Sequence, residues 1–115
     1  MKFKDLDVWK RSARLSKSFA DCKDFGFRDQ ITRSGLSIPC NIAEGSERNS
    51  KKDFIRFLHY AKGSCGELRT QIYIGIDIGY IEPIQGKSWL NETRELSAML
   101  VGLASSIEKQ LITEG

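Results

Sequence analysis

Apolar residues along this 115-residue chain recur mainly at spacings of three and four, the periodicity of helices packed on one face. The clearest stripe is Phe54, Leu58, Ala61, Cys65, Leu68, Ile72, Gly75 and Gly79. It alternates four and three throughout and predicts a helix over 51–78 whose stripe is the seam of a bundle. Ser50 stands before it as an N-cap, with Asp53 three residues on, a variant of the capping box. Phe27, Ile31, Ser34, Gly35, Ile38, Ile42 and Gly45 predict a second helix over 27–48. Trp89, Thr93, Leu96, Leu100, Leu103, Ile107 and Leu111 predict another over 85–112. The first segment, 5–24, has acidic residues at its start (Asp5, Asp7), where a helix N-terminus favours them. Val8, Leu15, Phe19 and Cys22 fall on one side of it, and Leu6, Trp9, Ala13 and Ala20 on another. That arc is wider than one core-facing stripe requires, so the surplus calls for a second covering surface.

Two places carry conflicting signals. Pro39 lies inside the second stripe, where its ring meets the carbonyl four residues back. That residue is Gly35, whose backbone can adjust, so the expectation is one helix kinked at Pro39. The alternative is a break at Ser37–Ile38, because a residue before proline disfavours the α region. Ile72, Ile74, Ile76 and Ile78 alternate strictly, which is a strand signal. The helical reading is preferred, since the three–four register passes through Ile72 and a lone strand would lack a partner.

Gly26, Asn49–Ser50 and Gly79–Pro83 separate the segments. Connections this short make neighbouring helices antiparallel. The expected fold is therefore all-α, an antiparallel up-down-up-down four-helix bundle forming a single domain over 1–115.

Composition narrows the function classes. Charged residues are 29% and hydrophobic residues 40%, which is globular rather than disordered. No apolar run reaches membrane-span length, and the opening MKFKDLDVWK has no signal-type apolar region, so a cytoplasmic protein without a membrane role is expected. Cys22, Cys40 and Cys65 are odd in number and contain no C-x-x-C pair; they read as reduced thiols, not as a disulfide framework or a zinc site. His59 is the single histidine. The Glu plus Glu-x-x-His pattern of di-iron bundles is absent, and Gly63, Gly66, Gly75 and Gly79 are scattered in a helix, where they read as close packing rather than a phosphate loop. No catalytic, metal-binding or cofactor-binding residues are assigned, and the chain is not expected to be an enzyme.

Net charge is +3 overall, but residues 1–69 carry +6 and residues 70–115 carry −3. Two basic clusters lie in the first part. Lys10, Arg14 and Lys17, with Arg11 at the edge, share one face of the first helix; Arg48, Lys51, Lys52 and Arg56 gather around the second turn. Together these seven cations, Arg11 aside, are candidate contacts to nucleic-acid backbone, sequence-tolerant because no aromatic stacking platform accompanies them. The plainer reading is a charged face that keeps the bundle in solution. On the second helix Gln30, Ser34, Ser37, Asn41, Glu44 and Arg48 recur at four and three as a polar line. Ser37, Asn41, Glu44 and Arg48, together with Trp9, are candidates for a seam with another helix or subunit; the alternative is a solvated flank.

The stretch Arg33-Ser34-Gly35-Leu36-Ser37-Ile38-Pro39-Cys40-Asn41-Ile42-Ala43-Glu44-Gly45 is the most specific in the chain. Three others accompany it: Leu6-x-Val8-Trp9; Phe54-x-x-Phe57-Leu58-x-x-Ala61-x-Gly63-Ser64; and Glu67-Leu68 followed by Gly79-Tyr80-Ile81. Together they resemble the bacterial four-helix-bundle family named after proteins encoded in 23S rRNA intervening sequences, which includes the accessory variability determinant of diversity-generating retroelements. Gly66 and Gly75 depart from the pattern, standing where a better helix former is usual. The resemblance implies a ring-like homopentamer and a role with RNA or DNA, or with a nucleic-acid enzyme such as a reverse transcriptase. The resulting expectation is a non-catalytic, homo-oligomeric, nucleic-acid-associated accessory protein. The alternative is a protein–protein interaction scaffold without nucleic-acid affinity.

Overall fold

The computed structural model describes residues 2–114. Among these the chain forms helices α1 (Asp7–Ser16), α2 (Phe25–Ser46), α3 (Lys51–Asp77) and α4 (Pro83–Glu114), with short 3-10 turns at Phe3–Asp5 and Lys17–Asp21. No strand occurs among the described residues. The helices alternate in direction; α2 and α4 each pack against both α1 and α3, and α1 and α3 lie on the diagonal. The body measures 51 × 19 × 19 Å. The 32 residues of α4 reach almost its full length at about 1.5 Å per residue.

The first segment differs most from its expectation. Only Asp7–Ser16 is α-helical, and Lys17–Asp21 tightens into 3-10 form. Ser12 and Ser16, both buried, donate to the carbonyls of Trp9 (3.0 Å) and Ala13 (2.7 Å). Such side-chain bonds compete with the helical ladder and favour its end. The surplus apolar side also finds its cover inside the chain. Leu6 and Trp9 are half-buried against the core, and Phe3 folds back edge-on to Trp9 at 5.2 Å between ring centroids. The wide arc therefore does not by itself require another copy.

α2 starts earlier than its stripe suggested. Asp24 is the N-cap, its carboxylate accepting from Phe27 N–H at 2.8 Å, so Gly26 lies in the first turn and not between helices. The helix runs unbroken through Pro39, and no break occurs at Ser37–Ile38. Gly35 does more than absorb the proline: a Cβ there would stand 2.9 Å from the Phe19 ring and 3.4 Å from Ser16 Cα. Its bare backbone is what lets the end of the first segment seat Phe19, fully buried and edge-on to Trp89 at 4.8 Å.

α3 begins on Ser50, which accepts from Asp53 N–H at 3.2 Å and passes through all four isoleucines as helix. Alternate residues on a helix point about 200° apart. Ile72 is accordingly buried and Ile76 half-buried, while Ile74 and Ile78 are about half exposed. Gly79 at φ +81° ends the helix, and Tyr80 and Ile81 N–H return to the Gly75 carbonyl at 2.8 and 3.0 Å. α4 then opens with Pro83, a first-turn proline that gives up no helical bond, while Glu82 accepts from Gln85 N–H at 2.9 Å.

The core joins Ile31, Ile38 and Ile42 of α2, Leu58, Leu68 and Ile72 of α3, Leu96 and Leu100 of α4, and Phe19. Glycines set the helix spacing in some places only. A Cβ on Gly45 would meet Phe57 Cβ at 2.6 Å, and one on Gly75 would meet Ile81 and Phe27 at 2.6 Å. Gly63 and Gly66 face open space, so the close-packing reading holds for Gly75 and not for them.

Candidate nucleic-acid interface

The two basic clusters do not merge. Lys10, Arg14 and Lys17 lie on the first segment, exposed. Lys51, Lys52 and Arg56 lie on the first two turns of α3, the helix diagonal to α1, with Arg48 just before them. Their partners differ as well. Arg48 bonds Glu44 at 2.8 Å and lies over the Phe57 ring at 4.8 Å. Arg56 pairs with Asp53 at 3.1 Å and also reaches the Phe57 ring. Lys51 is paired with Glu114, which ties the start of α3 to the end of α4. Among the described residues Lys10, Arg14, Lys17 and Lys52 are in no ion pair.

Arg11, at the edge of the first cluster, turns inward to α4. Its Nε donates to Glu92 at 3.1 Å, a second bond from Nη2 reaches the same carboxylate, and Glu95 lies 3.3 Å away. Its pKa is raised, foremost by the Glu92 hydrogen bond, with burial opposing. It is a tie between helices and not a free cation.

The polar line of α2 is satisfied mostly within its own helix. Ser37 donates to the Ser34 carbonyl at 2.7 Å, Asn41 Nδ2 to the Ser37 carbonyl at 2.7 Å, and Arg48 to Glu44. One bond crosses to α3, from Ser34 Oγ to Glu67 at 3.1 Å. Ser37 and Asn41 remain half-buried, Glu44 and Arg48 exposed. The remaining seam candidate, Trp9, lies on α1, half-buried with Phe3 edge-on to it. Gln30, Ser34 and Ser37 of the line, with Arg33, Ser64 and Glu67, line a shallow polar cleft between α2 and α3 of about 360 Å³.

Two arginines that the sequence left unassigned hold the α3–α4 side. Arg69 donates from Nε and Nη2 to the side chain and carbonyl of Thr93, both at 3.2 Å, and to Ser97 Oγ at 3.0 Å. Arg94 donates to Tyr73 Oη at 2.6 Å and to Asn91 at 3.3 Å. Arg69 is half-buried next to Leu68 of the α3 stripe, and Arg94 is exposed in the part of the chain with net negative charge, so nothing in the linear pattern marked them.

The thiols are separate. Cys22 and Cys65 are buried and Cys40 is exposed, all free. Burial raises the Cys22 thiol, helped by Asp21. Burial pushes Cys65 up to about 11, against the opposing pull of the Ser97 hydrogen bond and the Arg69 charge. His59 is exposed on α3. Among the described residues no group of three His, Cys, Asp or Glu side chains could hold a metal, and no helix is long and apolar enough to cross a membrane.

Four antiparallel helices, a kin of 3-10 turns at the start and a glycine-spaced α2–α3 contact place the chain among small helical-bundle proteins. It belongs to the family of 23S rRNA-intervening sequence proteins, whose profile matches residues 4–102. A solved structure from Bacteroides thetaiotaomicron, described as a protein of unknown function from the S23 ribosomal protein family, superposes with a TM-score of 0.80. The two sequences are 27% identical, and the match covers 91% of this chain and 99% of that one. None of the curated proteins matches the chain.

Proposed function

We propose that this bundle is a non-catalytic accessory protein that assembles with copies of itself and attaches to RNA or DNA through the phosphate backbone. The observation that carries the reading is the exposed, ion-pair-free set Lys10, Arg14, Lys17 and Lys52. Each such cation can displace counterions from a phosphate, and a closed ring would repeat the set around its axis. The pentamer that the family resemblance implies is the assembly proposed, and a nucleic-acid enzyme such as a reverse transcriptase is the proposed client. The paired cations Arg48, Lys51 and Arg56 contribute less, because binding must first displace Glu44, Glu114 and Asp53.

Self-assembly draws support from a different place than helix one. Phe25, Ile74, Ile78, Tyr80 and Ile84 are all exposed, by 45% to 79%, and all lie at the end where α2 and α4 begin and α3 finishes. Apolar side chains grouped in this way favour contact with another protein surface. The same observation favours the scaffold reading, in which protein contact is the whole function.

Filter binding of structured RNA separates the two. The proposal expects binding at low salt that weakens steeply as salt rises, and loss of that binding in a Lys10→Glu, Arg14→Glu, Lys17→Glu, Lys52→Glu variant. No binding by the parent at low salt leaves the scaffold, and equal binding by that variant overturns these four cations as the phosphate contacts. Light scattering of the parent gives the subunit number, and a stable monomer at high micromolar concentration rules out assembly.

A further inference from the structure

We infer that the cleft between the start of α2 and the end of α3 is a binding site for a cationic nitrogen on an aliphatic stem, an alkylammonium or guanidinium. The cleft holds about 330 Å³, the lower end of the range for small-ligand sites. Asp24, Phe27 and Gln30 line it from the α2 side, Gln71 and Ile74 from α3, and Tyr80 from the turn that follows. None of Lys10, Arg14, Lys17 and Lys52 lines it, so it stands apart from the proposed phosphate contacts.

Its walls are set before any ligand arrives. A Cβ on Gly75 would stand 2.6 Å from Phe27 Cζ, so the bare backbone of α3 is what seats the tip of that ring. Tyr80 is held by its own N–H, which donates to the Gly75 carbonyl at 2.8 Å, and its ring lies edge-on to Phe27 at 5.4 Å between centroids. Gln71 lies one helical turn before Gly75 and is half-buried. Among the described residues its Oε1 is the single buried side-chain oxygen or nitrogen without a hydrogen-bond partner. An acceptor left unpaired in this way costs the fold stability, and a donor entering the cleft removes that cost.

Charge and acceptors select the ligand. No Lys, Arg or His lines the cleft, and Asp24 brings a carboxylate to it. A helix start by itself favours an anion. For α2 that place is already filled by Asp24, whose Oδ1 accepts from Phe27 N–H at 2.8 Å. What a ligand meets is the carboxylate charge, the Gln71 acceptor and two aromatic rings, each of which favours a cation over an anion. Ile74 and the rings offer apolar surface to the methylenes of a stem. The same chemistry is presented by a free polyamine and by a lysine or arginine side chain of another protein.

The test follows the Gln71 side-chain amide and the Tyr80 backbone amide of the full chain by NMR. The chain is titrated with pentylammonium, with pentanol (the same stem without charge) and with pentanoate (the opposite charge), all at equal ionic strength. Saturable shifts with pentylammonium, severalfold weaker binding of pentanol and none of pentanoate are expected. Asp24→Asn keeps an oxygen to cap α2 but removes the charge, and should weaken pentylammonium about two- to fivefold. Gln71→Met keeps the length of the side chain but removes the unpaired acceptor. It should melt about 4 °C higher and bind pentylammonium about tenfold more weakly, opposite changes that a purely structural amide would not produce. Tighter binding of spermidine than of Nα-acetyl-lysinamide identifies a free polyamine as the source; the reverse order identifies a basic side chain. Shifts that stay linear, a pentanol or pentanoate response equal to that of pentylammonium, or parent-like binding by either variant overturns the site. The fourfold Lys10, Arg14, Lys17 and Lys52 variant should keep the pentylammonium response, so the failure of one proposal is not the failure of the other.

Discussion

Adding one methyl group to Gly45 should loosen the α2–α3 contact, although the same change improves the helix. In a helix interior alanine is better than glycine by about 1 kcal/mol. At Gly45 the new Cβ would stand 2.6 Å from Phe57 Cβ, 3.1 Å from Phe54 Cδ1 and 3.4 Å from the Phe54 carbonyl. Carbon atoms pack at about 3.5–4.0 Å, so about 1 Å must open. Phe57 Cβ is fixed to its own backbone and cannot swing aside, so the helices themselves must part and the buried Phe54 beside it must repack. Overpacking of this kind costs about 1–3 kcal/mol, and a backbone-fixed obstacle takes the upper part of that range. The net expectation for Gly45→Ala is a loss of about 2 kcal/mol. Gly66→Ala on α3 meets nothing within 4 Å and should gain about 1 kcal/mol. Urea unfolding followed by circular dichroism, at one fixed protein concentration, reads both as midpoint shifts of opposite sign with unchanged slope. A Gly45→Ala protein as stable as its parent would refute the account of close backbone approach.

Three further outcomes are expected. Phe19→Ala removes a fully buried ring from between Gly35 and Trp89 and should cost about 3–5 kcal/mol, a large share of a small domain's stability, with loss of the Trp89 near-ultraviolet signal before global unfolding. Asp24→Ala removes the α2 cap and should cost about 1 kcal/mol by thermal melting, partly restored by Asp24→Ser. Cys65 has its folded pKa raised to about 11, so the unfolded chain loses this proton first as pH rises. Stability from this group is full below about pH 8.5 and declines up to about pH 11, by on the order of 3 kcal/mol. Cys65→Ala should lack that decline, and parallel pH profiles for the two proteins would contradict it.

The three–four register of α3 was enough to name a helix, and it overrode the isoleucine alternation correctly because a helix needs no partner whereas a strand does. The stripes likewise named most of the core: Ile31, Ile38, Leu58, Leu68, Leu96 and Leu100 are all buried. The motif around Pro39 was specific enough to indicate the family, which the profile over residues 4–102 establishes. Helix ends were less legible. Asp24, Glu82 and Pro83 cap or open helices through local bonds that compete with neighbouring choices of equal merit, and Ser12 and Ser16 shorten α1 by bonds that a periodic pattern treats as polar interruptions. Charge was the least legible. Lys10 and Arg11 are adjacent cations, yet one faces water and the other is held by Glu92 from a helix eighty-one positions away. Periodicity is a property of the local backbone, repeated at each turn, and therefore shows in a linear string. Pairing of a charge, coverage of Trp9 by Phe3, and the reach of Arg69 to Thr93 and Ser97 across the α3–α4 contact depend on how the chain packs, and only packing in three dimensions decides that.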